Sequence, residues 1–407
     1  IMVIYNLILF ILYPLIILKI LIDTLIRRDS LRFFLCKVGL GKYINQESCI
    51  WIHASSLGET KSAIKIIDEI KRRDAEAQFI VSTSTSSPGK LLKERSDILH
   101  FIIPFDFLFT TKRIINKLKP RVLIIIETEI WPNLICSCHS KGIPVFIANA
   151  RLSKKTLNSN FLLKKIYKNT ISKITKILCK SDRELNHYLE LGANKKQLEV
   201  CGNIKMVNEV KKINTERIIE RKYVLAASTH KDEERQIITE WLKTNERKTL
   251  LVVVPRHVNR LGDILSDLPL DMIKIGIRSK NDPIRKNTQV YIADTYGELD
   301  SLIQHCEFVF MGGSLVDHGG QNFIEAAMHG KTIIVGSYMY NFIDETEEFL
   351  KTNSMIMVKN SQTLKHVFER LLKSKQRREL FGNNALKLLE SKKSIMDNYY
   401  LNFKNYL

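Results

Sequence analysis

Several short stretches of this chain place carboxylates or small polar residues where an apolar run stops, which is where a substrate can meet a rigid scaffold. The first reads Trp51-Ile52-His53-Ala54-Ser55-Ser56-Leu57-Gly58-Glu59. An apolar run ends near His53, a loop of small residues follows, and Glu59 stands where a helix would open. An acid there complements the helix dipole, and the small side chains leave room for a substrate. The second reads Ile126-Glu127-Thr128-Glu129-Ile130-Trp131-Pro132-Asn133. Strand alternation would set Glu127 and Glu129 on one side. Acids beyond a buried strand end are costly unless paired or used, and perturbed acids mark functional clefts; a structural ion pair is the competing reading. The loop 82–90, rich in Ser and Thr, could hold polar ligand groups or cap the helix after it.

The second half of the chain offers Val254-Pro255-Arg256-His257, Asp294-Thr295-Tyr296-Gly297-Glu298-Leu299, Met311-Gly312-Gly313-Ser314-Leu315-Val316 and Gly319-Gly320-Gln321-Asn322-Phe323-Ile324-Glu325-Ala326. Strand, Gly-rich loop, helix is a geometry that lets backbone N–H groups approach a phosphate. Glu325, three residues into the following helix, can accept both hydroxyls of a ribose. Any one of these loops alone is a weak signal, since Gly clusters are also ordinary turns; four such loops in one half, most of them after a strand candidate, point to a nucleotide site. Cys136, Cys138 and His139 sit within one helical turn with no second ligand pair nearby, so no metal site is expected. The seven cysteines are odd in number and lie mostly in apolar runs, which argues against a disulfide framework.

The elements that must carry these loops follow one grammar. Strand candidates fall at 50–53, 79–83, 101–104, 122–126, 145–148, 177–180 and 198–201, then at 224–228, 250–254, 272–275, 290–293, 308–311 and 333–335. Most are continuous apolar runs, as expected of strands buried on both faces of a parallel sheet. Helix candidates such as 60–73, 108–118 and 183–191 alternate with them, and 362–407 reads as helices. This is βαβ grammar given twice: an α/β chain with two Rossmann-like, doubly wound domains facing a cleft, ligands lying beyond the strands' C-terminal ends. The polar stretch 205–222 reads as the linker. The expected domains are 1–28, 29–210 for the acceptor, and 211–407 for the donor.

Residues 1–18 carry no charge, and the apolar pattern runs on to Ile26. About twenty residues span a bilayer core. Lys19, Arg27, Arg28 and Arg32 on its C-terminal side would keep the rest of the chain in the cytoplasm. A signal anchor is the favoured reading over a helix lying in the interface. The chain of 407 residues carries 63 Lys and Arg against 43 Asp and Glu, a net charge of +20. Anionic lipid or a phosphorylated substrate fits that excess, as does a coding bias toward Lys, Ile and Asn. No nucleic-acid signature appears, so no nucleic-acid partner is expected.

Jointly these stretches resemble the 3-deoxy-D-manno-octulosonic acid (Kdo) transferases of lipopolysaccharide synthesis, a GT-B glycosyltransferase family. The resemblance rests on residues 53–59, 127–133, Asn149-Ala150-Arg151-Leu152-Ser153, Cys201-Gly202-Asn203-Ile204-Lys205, Ala227-Ser228-Thr229-His230, 255–257, 294–299 and 312–325, in family order along almost the whole chain. Ser56-Leu57 and Gln321 depart from the family's usual residues. The resemblance implies transfer of Kdo from CMP-Kdo to a tetra-acylated lipid A precursor, with inversion, on the cytoplasmic face of a bacterial inner membrane. It implies Glu59 as general base for the acceptor hydroxyl, and Glu129 and Lys205 as groups that stabilise the transition state. It places CMP against Pro255, Arg256, Tyr296, Gly297, Glu298, Asn322, Phe323, Ile324 and Glu325. No cofactor is implied, and no Asp-x-Asp motif suggests a metal-bridged diphosphate.

Overall fold

Unbroken runs of Val, Ile and Leu need cover on both faces, and this chain supplies it with helices between parallel strands. The computed structural model describes all residues except 27–28, 42–46, 208–215, 245, 247 and 270–272. The described chain divides into two units: Ile1–Lys205 with Ser394–Leu407, and Met206–Lys393. The first holds β1 (Ile50–His53), β2 (Phe79–Thr83), β3 (Ile98–Ile102), β4 (Val122–Ile126), β5 (Val145–Ala150), β6 (Lys176–Cys179) and β7 (Leu198–Val200). All pair in parallel, in the order β3-β2-β1-β4-β5-β6-β7. Every residue of β1, β2, β4 and β5 is buried.

The second unit holds β8 (Tyr223–Thr229), β9 (Leu250–Pro255), β10 (Ile275–Ile277), β11 (Val290–Ile292), β12 (Val309–Met311), β13 (Ile333–Val335) and β14 (Met355–Met357). They form another parallel sheet, ordered β10-β11-β9-β8-β12-β13-β14. In each sheet the winding reverses once, between β1 and β4 and between β8 and β12. A crevice opens at such a switch point, beyond the strands' C-terminal ends. The loops singled out in the sequence after β1, β4, β8 and β12 end there.

Three expectations need correction. Strand 101–104 is in fact Ile98–Ile102, an edge strand in which only Ile98 and Phe101 are buried. The expected strand 272–275 begins at Ile275 among the described residues, and Met272 lies outside them. The 211–407 domain does not hold together. The helix Ile395–Phe403 belongs to the first unit, where it buries Ile395, Met396, Tyr399 and Phe403. Phe403 and Tyr406 meet Phe146 of β5 edge-on, with ring centroids 5.3 Å and 5.1 Å away. The expected boundary at 210/211 falls outside the described residues.

Among the described residues, Met2–Ile26 is the one helix long and apolar enough to cross a membrane. Arg27 and Arg28, which were to orient it, lie outside the description. The helix is fastened to the first unit through its first half. Leu9 is buried, Tyr5 bonds Asp106, and the Tyr13 ring packs on Phe107 at 5.0 Å. Its other side is open, with Val3 and Phe10 about four-fifths exposed (80% and 78%) and Leu18 and Leu25 exposed too.

Candidate functional site

Glu59 sits in the first turn of the helix Leu57–Arg73, which Ser56 caps. Ser56 Oγ accepts from the Glu59 N–H at 3.3 Å and donates to Glu59 Oε1 at 3.1 Å; the Ser55 N–H donates to Oε2 at 2.7 Å. Ser56 thus caps the helix, and these bonds hold the carboxylate in place beside the C-terminal end of β1. Only 9% of Glu59 is exposed. Burial, and then the charges of Glu127 and Glu129, push its pKa up to about 7. A carboxylate poised at neutrality suits a general base.

Behind this loop, His53 is fully buried, with Nδ1 2.9 Å from Ser82 Oγ and Nε2 3.4 Å from Ser55 Oγ. Burial pushes its pKa down to about 4, the nearby Lys37 adding to the shift and Glu129 opposing it, so the ring is neutral at physiological pH. Trp131 meets it edge-on at 5.3 Å and donates its indole N–H to Glu129.

The expected alternation of Glu127 and Glu129 fails for a local reason. β4 ends at Ile126, and Glu127 takes a left-handed φ of 65°. For a residue with a Cβ that costs on the order of 1–3 kcal/mol. The turn aims the Glu127 carboxylate at Lys205 Nζ (2.5 Å) and Arg151 Nε (3.0 Å). Burial would raise the Glu127 pKa; Lys205 and Arg151 outweigh it and hold the carboxyl below its usual range. Glu127 is therefore an ion-pair partner, while Glu129 in the following turn is half-buried. The site thus brings Glu59, Glu129 and Lys205 together around a charge-compensated Glu127.

Asn149, singled out in the sequence only within the family-like stretch 149–153 and given no role there, organises the Lys205 side. It too is left-handed, with φ 55°, at an irregularity in the pairing of β5 with β6. Its Oδ1 accepts from the Ile204 N–H at 3.0 Å, and its own N–H donates to Tyr399 Oη at 3.1 Å. Tyr399 donates onward to the Gly202 carbonyl at 2.9 Å.

In the second unit, β8, β9, β11 and β12 are neighbours, so their ends make one rim. Gly312 lets β12 approach β8: a Cβ there would lie 2.4 Å from the Ser228 carbonyl oxygen. The Gly-rich loop after β12 was expected to offer its N–H groups to a phosphate. Those groups are already taken. Glu233, buried in the helix Glu233–Leu242, accepts from the N–H of Gly313 (2.7 Å), Ser314 (3.0 Å), Leu315 (3.0 Å) and His230 (3.1 Å). The nest is filled from within by the protein's own carboxylate.

What remains open to a ligand is strongly cationic. Arg256 and His257 are exposed beyond Pro255, the buried last residue of β9. His230 stacks on His318 at 4.1 Å. Burial first, and then the neighbouring His318, His257, Arg260 and Arg256, push its pKa down to about 4. Tyr296 is 81% exposed, and Gly297, with φ 87°, has open space beside it. Glu298 is held by Arg278 at 2.7 Å and by Thr295, so its charge is already paired. Asn322 is exposed and its Oδ1 accepts from the Ile324 N–H at 3.2 Å; Glu325 is half-exposed in the first turn of the helix Ile324–Met328. Phe323 and Ile324 are core side chains, Phe323 packing on Phe342 and Phe349, and can offer a ligand only backbone groups.

Residues 32–208 match the family model of 3-deoxy-D-manno-octulosonic-acid transferase (kdotransferase). The 3-deoxy-D-manno-octulosonic acid transferase of Rickettsia bellii is 30% identical to this chain over 410 residues, covering 97% of each. The chain belongs to the Kdo transferase family. A second Kdo transferase, from Haemophilus influenzae, is 30% identical over 371 residues, 88% of this chain and 87% of its own. A solved glycosyltransferase from Rickettsia africae, 15% identical, superposes with a TM-score of 0.63 over 89% of this chain and 98% of that one, which establishes the GT-B-like fold alone. As a Kdo transferase the protein is an enzyme of the glycosyltransferase class. Its two switch-point rims carry the side chains whose roles are taken up next.

Proposed function

We propose that this Kdo transferase takes Kdo from CMP-Kdo and attaches it, with inversion, to a phosphorylated, tetra-acylated lipid A precursor. The observation that carries the reading is Glu59, a buried carboxylate held near neutrality on a capped helix at the switch point of the first sheet. In the reaction the bond between the Kdo anomeric carbon and the phosphate oxygen breaks, its electron pair leaving with CMP. The acceptor oxygen forms the new bond and its proton passes to Glu59. The sugar approaches an oxocarbenium ion, which the anionic Glu129 suits. Lys205, its charge balanced by Glu127, faces the anionic leaving group or the Kdo carboxylate. Arg256 and the N–H groups around Gly297 take the phosphate of the donor, and Glu325 takes its ribose.

The donor-side residues Pro255, Tyr296, Glu298, Asn322, Phe323 and Ile324 shape this pocket more than they charge it. Glu298 is already paired, and Phe323 and Ile324 contribute backbone alone. The enzyme works at the cytoplasmic face of a bacterial inner membrane, and the second proposal concerns how it sits there. The contacts of Tyr5, Leu9 and Tyr13 fasten the apolar helix along the first unit, which favours a helix lying in the interface over one that crosses. Its open apolar side would enter the acyl region, and the basic surface would meet anionic headgroups. The test of the reaction is an incubation with CMP-Kdo and tetra-acylated lipid A precursor, read by mass spectrometry. A product heavier by Kdo, with CMP released in equal amount, is expected. CMP release without a lipid product would reject the acceptor assignment, and no CMP release would reject the donor.

A further inference from the structure

The apolar run 1–18 contains three polar side chains, Tyr5, Asn6 and Tyr13. Two of them, both half-buried, reach the buried polar side chains Asp106 and Asn133. Tyr5 Oη donates to Asp106 Oδ2 at 3.1 Å. The amides of Asn6 and Asn133 exchange hydrogen bonds, at 3.1 Å from Asn6 Nδ2 and at 2.8 Å from Asn133 Nδ2. Asn133 is fully buried and Asp106 is 5% exposed. Asp106 also accepts from the N–H of Asn133 at 2.8 Å and of Leu134 at 2.9 Å. Those are first-turn donors of the helix Pro132–Ser140, whose own cap position, Trp131, supplies no side-chain bond. Asp106 therefore does the capping from a distant loop, where a carboxylate also complements the dipole.

The cluster borders the catalytic turn. Trp131, directly before this helix, holds Glu129 through its indole N–H and packs on His53, which lies behind the Ser55–Glu59 pair. Asn6 is half-buried, but Asn133 is fully buried, so the amide exchange favours one geometry: breaking it strips a desolvated Asn133 amide of one of its bonds. Fastening a helix by apolar contact alone would impose no such register.

We propose that Asn6, assisted by Tyr5, is a positioning residue for catalysis. Its amide latch with Asn133 sets the turn 127–131 that presents Glu129, so the helix at the membrane is also part of the catalytic scaffold. This inference rests on the reading of Glu129 as a transition-state group. It separates two roles of the helix: binding the membrane through its open side, and shaping the site through Asn6 and Tyr5 on the other.

The experiment is steady-state transfer by the full-length enzyme in detergent, with CMP-Kdo and dispersed acceptor both saturating, so that membrane affinity does not enter. Asn6→Leu should lower kcat on the order of tenfold or more, the scale of a small misplacement of a catalytic group, with KM for CMP-Kdo within about twofold of wild type. Sedimentation with vesicles of anionic lipid should be undiminished. In a Glu129→Gln background the same substitution should cause no further loss, since coupled residues are non-additive. Tyr5→Phe, which removes one oxygen, should lower kcat in the same coupled way and stands in if Asn6→Leu does not fold. An unchanged kcat, or an equal loss with and without Glu129, would overturn the latch while leaving Glu129's role intact. A fully active Glu129→Gln would overturn both.

Discussion

At the scale of the residue, the first unit's site is a balance among three carboxylates. Glu127 is neutralised by Lys205 and Arg151, and Glu59 is left with a pKa of about 7. The consequence for stability has a definite sign. A raised folded-state pKa means the protonated form is favoured by folding, so Glu59's contribution is complete at acid pH and fades as pH rises through about 7. Glu233 is a different buried acid. It satisfies four backbone donors at once, and Glu233→Ala would leave them without partners in a buried loop. Each such group costs about 1–3 kcal/mol. Urea unfolding should show a loss of several kcal/mol, and calorimetry should show weakened CMP binding, since the loop after β12 would lose its shape. Native-like stability would mean water replaces the carboxylate.

At the scale of the element, the two sheets were readable wherever strands are buried on both faces. β1, β2 and β4 lie where their apolar runs lie, because continuous Val, Ile and Leu have no other stable environment. β3 and the three-residue β14 escape that rule as edge strands, with one face or less to bury. The site residues were legible as types and not as arrangements. Spacing could not reveal that Glu127 turns left-handed, or that a Gly-rich loop already holds Glu233, because both follow from contacts distant in sequence. The helix Ile395–Phe403 is the clearest case: nothing local in its sequence says that it leaves the second unit. Tyr399 is its link to the site, joining Asn149 to Gly202 three residues before Lys205. Tyr399→Phe should therefore cost about 0.5–1.5 kcal/mol per lost hydrogen bond and lower kcat, with KM for CMP-Kdo little changed. Circular dichroism melting and steady-state kinetics would check both. A stability loss with unaltered kcat would confine Tyr399 to holding the fold.

At the scale of the whole molecule, the proposed function gives the net charge of +20 and the open apolar helix one common partner, an anionic membrane. The sequence presents residues 1–28 as separable, since no strand candidate lies in them. The bonds of Tyr5 and Asn6 with the buried Asp106 and Asn133 show that their removal also touches the fold. Deleting 1–28 should leave a folded but less stable transferase, with activity lowered more on bilayer acceptor than on dispersed acceptor because the tether's effective concentration is gone. Residual liposome binding should weaken with salt, as the Debye length is about 8 Å at physiological ionic strength. Equal binding at low and high salt would remove the electrostatic part of the account.

The central claim is that Glu59 removes the acceptor's proton, and Glu59→Gln with its pH profile tests it most directly. The amide keeps the side chain's shape and cannot take a proton. In the wild type, log kcat/KM should climb with unit slope as pH rises and level off above about 7, where the carboxylate is ionised. The variant should lose about 10²–10⁴-fold in transfer, lose the acid limb near pH 7, and bind CMP as the wild type does. A variant within tenfold of wild-type activity, or one that keeps the same acid limb, would contradict the assignment of Glu59 as the base.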